Sequence, residues 1–201
     1  MKKKIGFVIA GIIIVLFIFW YAHIAKANII YDKSIDTSDY RSTDSFIDEK
    51  ISQEFRTDEE SIDGISVKSR IIGEPYNVVV SYSLADTESG EIVARGTENA
   101  ANIANSKFHK FEFADKVEGT KGKRFNFILE VFGEDNENHI AFCYEDKTEM
   151  STRLTINDTV QDGTLILKTI TNRFDIETFV VLLLFIAYII VFMKFLYKLF
   201  K

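Results

Sequence analysis

Three histidines, one cysteine and thirty carboxylates are the groups from which this chain could build reactive chemistry. Their spacing builds little. His23, His109 and His139 stand far apart, and Cys143 has no second cysteine with which to share a metal or a disulfide. Zinc ligands recur at close spacing, as in H-E-x-x-H or C-x-x-C, and neither pattern occurs. The G-x-S-x-G turn that exposes a nucleophilic serine and the P-loop glycine run are also missing. General acid–base work would need carboxylates in divergent environments, which residue order alone does not pick out. Asp135-Asn136-Glu137-Asn138 offers oxygen ligands for calcium but lacks the twelve-residue EF-hand register. It reads as a polar hairpin loop, with a structural calcium left open. The expectation is a non-enzyme that needs no cofactor. For binding, sugar hydroxyls want fixed polar side chains, ideally beside an aromatic face. By strand alternation Asn126, Glu130 and His139 face away from an apolar core, with Lys110 and Glu112 on a neighbouring strand. Those first three are the candidate glycan-binding residues.

The elements that would position them are short and alternating. Asn77–Leu84 places Val78, Val80, Tyr82 and Leu84 on one face. Lys123–Phe132 aligns Phe125, Phe127, Leu129 and Val131 against Arg124, Asn126, Ile128 and Glu130. Ser61–Ile71, Glu91–Gly96, Lys107–Phe113, His139–Tyr144, Arg153–Ile156 and Thr164–Ile170 behave similarly, with turn residues between them. His109 aligns with Phe111, and Cys143 falls on the face opposite Phe142. No segment among these shows a 3.6-residue period. Eight or so such strands predict an antiparallel β-sandwich with one apolar face per strand turned inward. The phenylalanines are its core. With a single cysteine, the fold must hold by burial alone.

The chain has 201 residues, 47% of them hydrophobic and 27% charged, and the apolar ones are concentrated at the two ends. Ile5–Ala22 carries no charge, is long enough at about 27 Å to approach the hydrocarbon thickness, and ends on Trp20 and Tyr21. A cleaved signal peptide is the competing reading, since a basic tip precedes it and Ala25-Lys26-Ala27 follows; the run is longer than a usual signal core. Phe179–Met193 and the residues through Phe200 give a second span, with Lys194 and Lys198 able to snorkel. Four regions follow: a helix with a basic tip over 1–25, a stalk over 26–50 rich in Asp, Ser and Thr, a sandwich over 51–172, and a second helix with a basic end over 176–201. Lysines mark both extremes, and all the acids lie between Asp32 and Glu177. The positive-inside rule puts both termini in the cytoplasm of a plasma-membrane protein, with residues 26–177 outside. Neither span carries a charge in its core, so no ion path is expected. The acidic middle argues against nucleic acid as a partner.

Gln53-Glu54-Phe55, Ile62-Asp63-Gly64-Ile65-Ser66-Val67, Leu84-Ala85-Asp86, Phe111-Glu112-Phe113, Lys121-Gly122-Lys123-Arg124-Phe125 and Asp162-Gly163-Thr164-Leu165 follow one another in an order seen elsewhere. This series resembles the carbohydrate-binding-module-like jelly-roll ectodomains of bacterial membrane proteins associated with cell-surface polysaccharide assembly. It spans about Ile51–Ile170. Thr120 stands where that pattern has Ser, and Phe125 where it has Tyr. The resemblance implies a jelly-roll fold, and with the two helices read above the expectation is an all-β, antiparallel jelly-roll-like β-sandwich ectodomain flanked by two transmembrane helices. It further implies an accessory role in polysaccharide or cell-wall glycan assembly. The implied partners are a polysaccharide or glycan and a polytopic glycosyltransferase or flippase. The alternative is a protein–protein subunit that stabilises a polytopic membrane enzyme or transporter without touching glycan.

Overall fold

The computed structural model describes residues 2–43 and 49–200. Helix α1 (Lys2–Tyr21) opens the chain and α2 (Ile176–Leu199) closes it. Between them lie β1 (His23–Ile29), β2 (Arg41–Ser42), β3 (Lys50–Arg56), β4 (Ser61–Ile72), β5 (Val79–Asp86), β6 (Ile92–Asn99) and β7 (Phe108–Glu118). They are followed by β8 (Arg124–Phe132), β9 (His139–Glu145), β10 (Arg153–Ile156), β11 (Thr159–Gln161), β12 (Thr164–Leu165) and β13 (Leu167–Phe174). The chain divides into two compact units, Ala27–Thr171 and a helical unit made of both ends.

The larger unit is built from two antiparallel sheets. One runs β11-β10-β3-β8-β5-β6; the other runs β1-β13-β4-β9-β12, with β7 also pairing β4 and β2 pairing β9. The alternation read from the sequence is the reason. Val80, Leu84, Phe127 and Leu129 from the first sheet and Ile65, Phe111, Ile140 and Phe142 from the second are all essentially solvent-free and share one core. Cys143 is buried on the opposite face of β9. Two polar ties cross between the sheets. The fully buried Gln53 accepts from Leu165 N at 2.8 Å, and the Tyr82 hydroxyl donates to Glu112 O at 2.6 Å. The Q-x-F glutamine is thus an inter-sheet clamp.

The stalk expected over 26–50 is corrected in part. Ala27 onward belongs to the larger unit, β2 pairs with β9, and Thr43 is buried, its Oγ1 accepting from Phe142 N at 2.9 Å and donating to Glu49 at 2.6 Å. Residues 44–48 of that stretch lie outside the described residues, as does Lys201 of the basic end.

In the helical unit Asp175 caps α2, accepting from Glu177 N at 3.0 Å, and its own N–H bonds Ala22 O at 2.8 Å. Phe19, His23, Phe174 and Phe179 form a contiguous ring cluster there. α2 has 24 residues, none of them buried, and is long and apolar enough to cross a membrane. A helix apolar all round and uncovered by protein suits lipid. For α1 the apolar stretch of this kind is only Gly11–Tyr21, so among the described residues one candidate span is found where two were expected.

Candidate functional site

The three residues proposed from alternation do not come together. Asn126 and Glu130 lie on the outer face of β8, four residues or about 13 Å apart, opposite Glu54 and Lys50 of β3. Glu130 is ion-paired to Lys50 at 3.0 Å, and Phe132, 53% exposed, ends the same face. His139 is on β9, in the other sheet, and is buried beside Ile72 of β4 rather than presented to solvent. The reason is topological. The turn after Phe132 carries the chain from one sheet to the other, so strands adjacent in sequence face away from each other across the core. Lys110 and Glu112 fall on β7, also in the second sheet, and pair with each other at 2.8 Å. The Asp135 carboxylate is taken up by its own hairpin, accepting from Glu137 N at 2.8 Å and Asn138 N at 2.7 Å. Among the described residues no group of three or more His, Cys, Asp or Glu could hold a metal.

The side chains that do converge lie on the outer face of the seven-stranded sheet. On β4, Ile65 and Val67 point inward, so Lys68 and Arg70 straddle the outer edge of that pattern. On β7, His109 packs edge-on against Phe111 at 5.0 Å, and that turns Phe108 outward. β13 adds Lys168. The loop between β1 and β2 supplies the cover. Asp32 and Asp36 each fold it locally, accepting from the backbone N–H and hydroxyl of Ser34 and of Ser38. The loop is pinned to β9 by Asp32 N donating to Glu145 Oε1 at 3.0 Å and to Lys147 by an ion pair at 2.7 Å. Held so, Tyr31 stacks on Phe108 at 6.2 Å between ring centres and meets Tyr40 edge-on at 6.3 Å. The Lys168 ammonium sits 3.8 Å from the Phe108 ring centre, and that of Lys68 sits 5.0 Å from Tyr40. The five side chains form one row, Lys68–Tyr40–Tyr31–Phe108–Lys168.

Beside Tyr40 a cleft of about 310 Å³ opens, lined by Thr37, Tyr40, Lys68, Arg70, Ser106 and Cys143. Ser106 is held at φ +59°, a backbone conformation that costs a non-glycine residue energy and persists where its surroundings fix it. Arg70 donates to Ser42 at 3.1 Å. Burial, and then the nearby Lys33 charge, pull the Lys168 ammonium below its ordinary value. Burial likewise pushes the Tyr31 and Tyr40 phenols up. Cations and hydroxyls set beside rings can hold a hydroxylated or charged ligand without bond chemistry. The signal for half of this site was present in the order of residues: Phe108 and Lys68 fall on the outward parity of their strands. Tyr31, Thr37 and Tyr40 lie in a stretch with no periodicity, and only the fold brings them in.

The chain matches no protein-family model and no curated protein. Among solved structures it is similar to a clostridial cysteine protease, Cwp84 after propeptide cleavage, at 11% identity and a TM-score of 0.40, over 69% of this chain and 41% of that one. The protease and lectin-like domains of Cwp84 from Clostridium difficile align at 11% identity and a TM-score of 0.35, over 69% and 37%. Yersinia pseudotuberculosis-derived mitogen gives 12% identity and a TM-score of 0.24, over 64% of this chain and 92% of that one. The chain thus spans about two fifths of the Cwp84 chains it aligns with. Superpositions this loose carry no argument, and the site stands on its own residues.

Proposed function

We propose that this chain is a non-catalytic, membrane-anchored binding protein that displays its sandwich outside a bacterial plasma membrane and serves cell-surface polysaccharide or cell-wall glycan assembly. In this reading the larger unit is a jelly-roll ectodomain. Both helices cross the bilayer, and Lys2–Lys4 with Lys194 and Lys198 hold both termini in the cytoplasm by the positive-inside rule. The observation that carries the binding role is the cleft beside Tyr40, where rings, hydroxyls and cations converge on one sheet face. The experiment joins two measurements on the full chain in mild detergent: glycan-array binding, and recovery of partners through a C-terminal tag. Array binding that is lost in Tyr40→Ala supports the reading. A blank array with stoichiometric recovery of a polytopic glycosyltransferase or flippase replaces it with the subunit reading.

That second reading has an observation of its own. β6 is an edge strand, and its Ile92 and Val93, 54% and 36% exposed, line a groove of about 540 Å³ with Ala94, Arg95, Ala114 and Asp115. An open edge with apolar side chains suits pairing with another protein. Ile92→Arg separates the two readings, because it costs partner recovery only if the edge is the docking surface.

A further inference from the structure

We propose that the outer face of the six-stranded sheet is a second binding site, separate from the cleft beside Tyr40, and that it holds an extended polyol phosphate. Arg56, Arg95 and Arg124 hold phosphate groups of that polymer, and serine and threonine hydroxyls between them meet its polyol. This goes beyond the reading above and stands whether or not the cleft takes a sugar.

Strand register assembles the face. In β3, β5, β8 and β10 the core takes Phe55, Leu84, Phe127 and Leu154, so residues of the other parity form the outer surface. Thr155, Ser52, Ile128, Ser83 and Arg95 stand in one row across five strands, each opposite the next. In a second row Glu54 lies between Arg153 and Asn126. In a third, Arg56 and Arg124 face each other directly.

What distinguishes this face is the type of cation it carries. Residues 27–171 contain ten lysines, six arginines and 28 acids. Four of those arginines lie here with a single lysine, Lys50, and with only two of the acids, Glu54 and Glu130. Five bases against two acids give the face +3 within a unit of net charge −12. Lys50 is ion-paired to Glu130 at 3.0 Å, and Arg153 has Glu54 opposite it. That leaves Arg56, Arg95 and Arg124, all exposed. The acids that follow β3 lie around another cation: Glu60 pairs with Lys121 at 2.8 Å, and Glu60, Asp58 and Glu59 all raise the pKa of that ammonium. Like charges directly opposite in a sheet destabilise it, so the Arg56–Arg124 pair costs the free protein stability that a bound anion returns. Arginine presents a rigid fork of donors where lysine presents a point charge. One fork already occupies both oxygens of a carboxylate, whereas the tetrahedral oxygens of phosphate can meet two forks from different directions.

Spacing and lining select a polymer. Arg95 is four residues along the strands and two strands across from Arg124, about 16 Å away. One phosphate group does not meet all three arginines, so the ligand carries several. Ser52, Ser81, Ser83, Thr97 and Thr155 supply hydroxyls, which both donate to and accept from a polyol. The apolar side chains are scattered, Ile128 half-buried at the centre and Val79 and Phe132 at the end away from Arg124. A protein partner would meet a contiguous apolar core instead.

The test is titration calorimetry of the full chain in zwitterionic nanodiscs at low salt. The probes are poly(glycerol phosphate), polygalacturonate, neutral mannan and polyglutamate of similar length. The phosphate polymer is expected to bind about ten-fold or more tighter than each of the others. Arg56→Gln combined with Arg124→Gln should remove about ten-fold or more of that affinity, with an unfolding midpoint that is unchanged or higher because the cross-strand repulsion is gone. Arg56→Lys combined with Arg124→Lys keeps the charge without the forks and should recover only a minor part of the loss. Lys107→Gln combined with Lys116→Gln removes the same charge elsewhere and should leave the affinity within about two-fold. Polygalacturonate or polyglutamate binding as tightly as the phosphate polymer overturns the phosphate ligand. Undiminished affinity in the double glutamine variant, or an equal loss in the Lys107 and Lys116 variant, overturns the site. Full recovery by lysine overturns the forked contact. Binding of none of the polymers overturns the whole inference, while the cleft is decided separately by the array experiment with Tyr40→Ala.

Discussion

At Gln53 and Glu145 two buried polar side chains do opposite things. Both polar atoms of the Gln53 amide have a partner: Oε1 accepts from Leu165 N at 2.8 Å, and Nε2 donates to Glu54 O at 3.0 Å. Replacing it with leucine keeps the volume but strands the Leu165 N–H in the core, a loss of about 1–3 kcal/mol. Denaturant unfolding of Gln53→Leu should show that loss as a lower midpoint with an unchanged slope. Glu145 is buried with only one carboxylate oxygen hydrogen-bonded among the described residues, and burial, more than the nearby Glu149 and Asp32 charges, raises its pKa. The folded chain therefore keeps a proton at Glu145 where the unfolded chain, with a value near about 4.3, has released it. Stability contributed by that proton is present at low pH and lost as pH rises through the folded value. Glu145→Gln retains an acceptor for Asp32 N and removes the titration. Its unfolding free energy should decline less than that of the parent from about pH 4.3 upward, the unfolded value marking the start of the window. Asp32 carries the contrary sign, since its bonds to Lys147 and Ser34 lower its pKa, and its contribution is lost only on going more acidic.

Among the elements, β5, β8 and β10 were legible because each buries one parity of side chains and leaves the other accessible, whereas β9 was legible from the alternation of its residue types although both of its faces are covered. β1 and β2 were not. A strand held at a sheet edge by main-chain bonds and by one buried threonine leaves no apolar period to read, and the same stretch looks like a stalk. Sheet membership was illegible for a different reason. Alternation says which side chains face the core, but both sheets face it, so Asn126 and His139 read alike while standing on opposite outer faces. The coupling between β5 and β6 makes this concrete at Gly96. A Cβ there would lie 2.3 Å from the Tyr82 hydroxyl oxygen, and Tyr82 cannot yield without losing its bond to Glu112 O on the other sheet. Gly96→Ala should cost about 1–3 kcal/mol, as overpacking does. In a Tyr82→Leu background the added penalty should largely vanish. Urea unfolding of the four chains of that double-mutant cycle measures the coupling directly.

Taken as a whole, the chain sets charge against charge on a scale longer than any single pair. The larger unit carries −12, spread over most of its surface, while Lys33, Lys68, Arg70 and Lys168 gather on one face. Excess negative charge opposes compaction, because acids outnumber bases and the net self-repulsion of the unit grows as it folds. Salt weakens that repulsion: between about 0.01 M and about 0.1 M the screening length falls from about 30 Å to about 10 Å, from spanning the unit to reaching only near neighbours. Thermal unfolding of the full chain should therefore move to higher temperature as NaCl rises through this range.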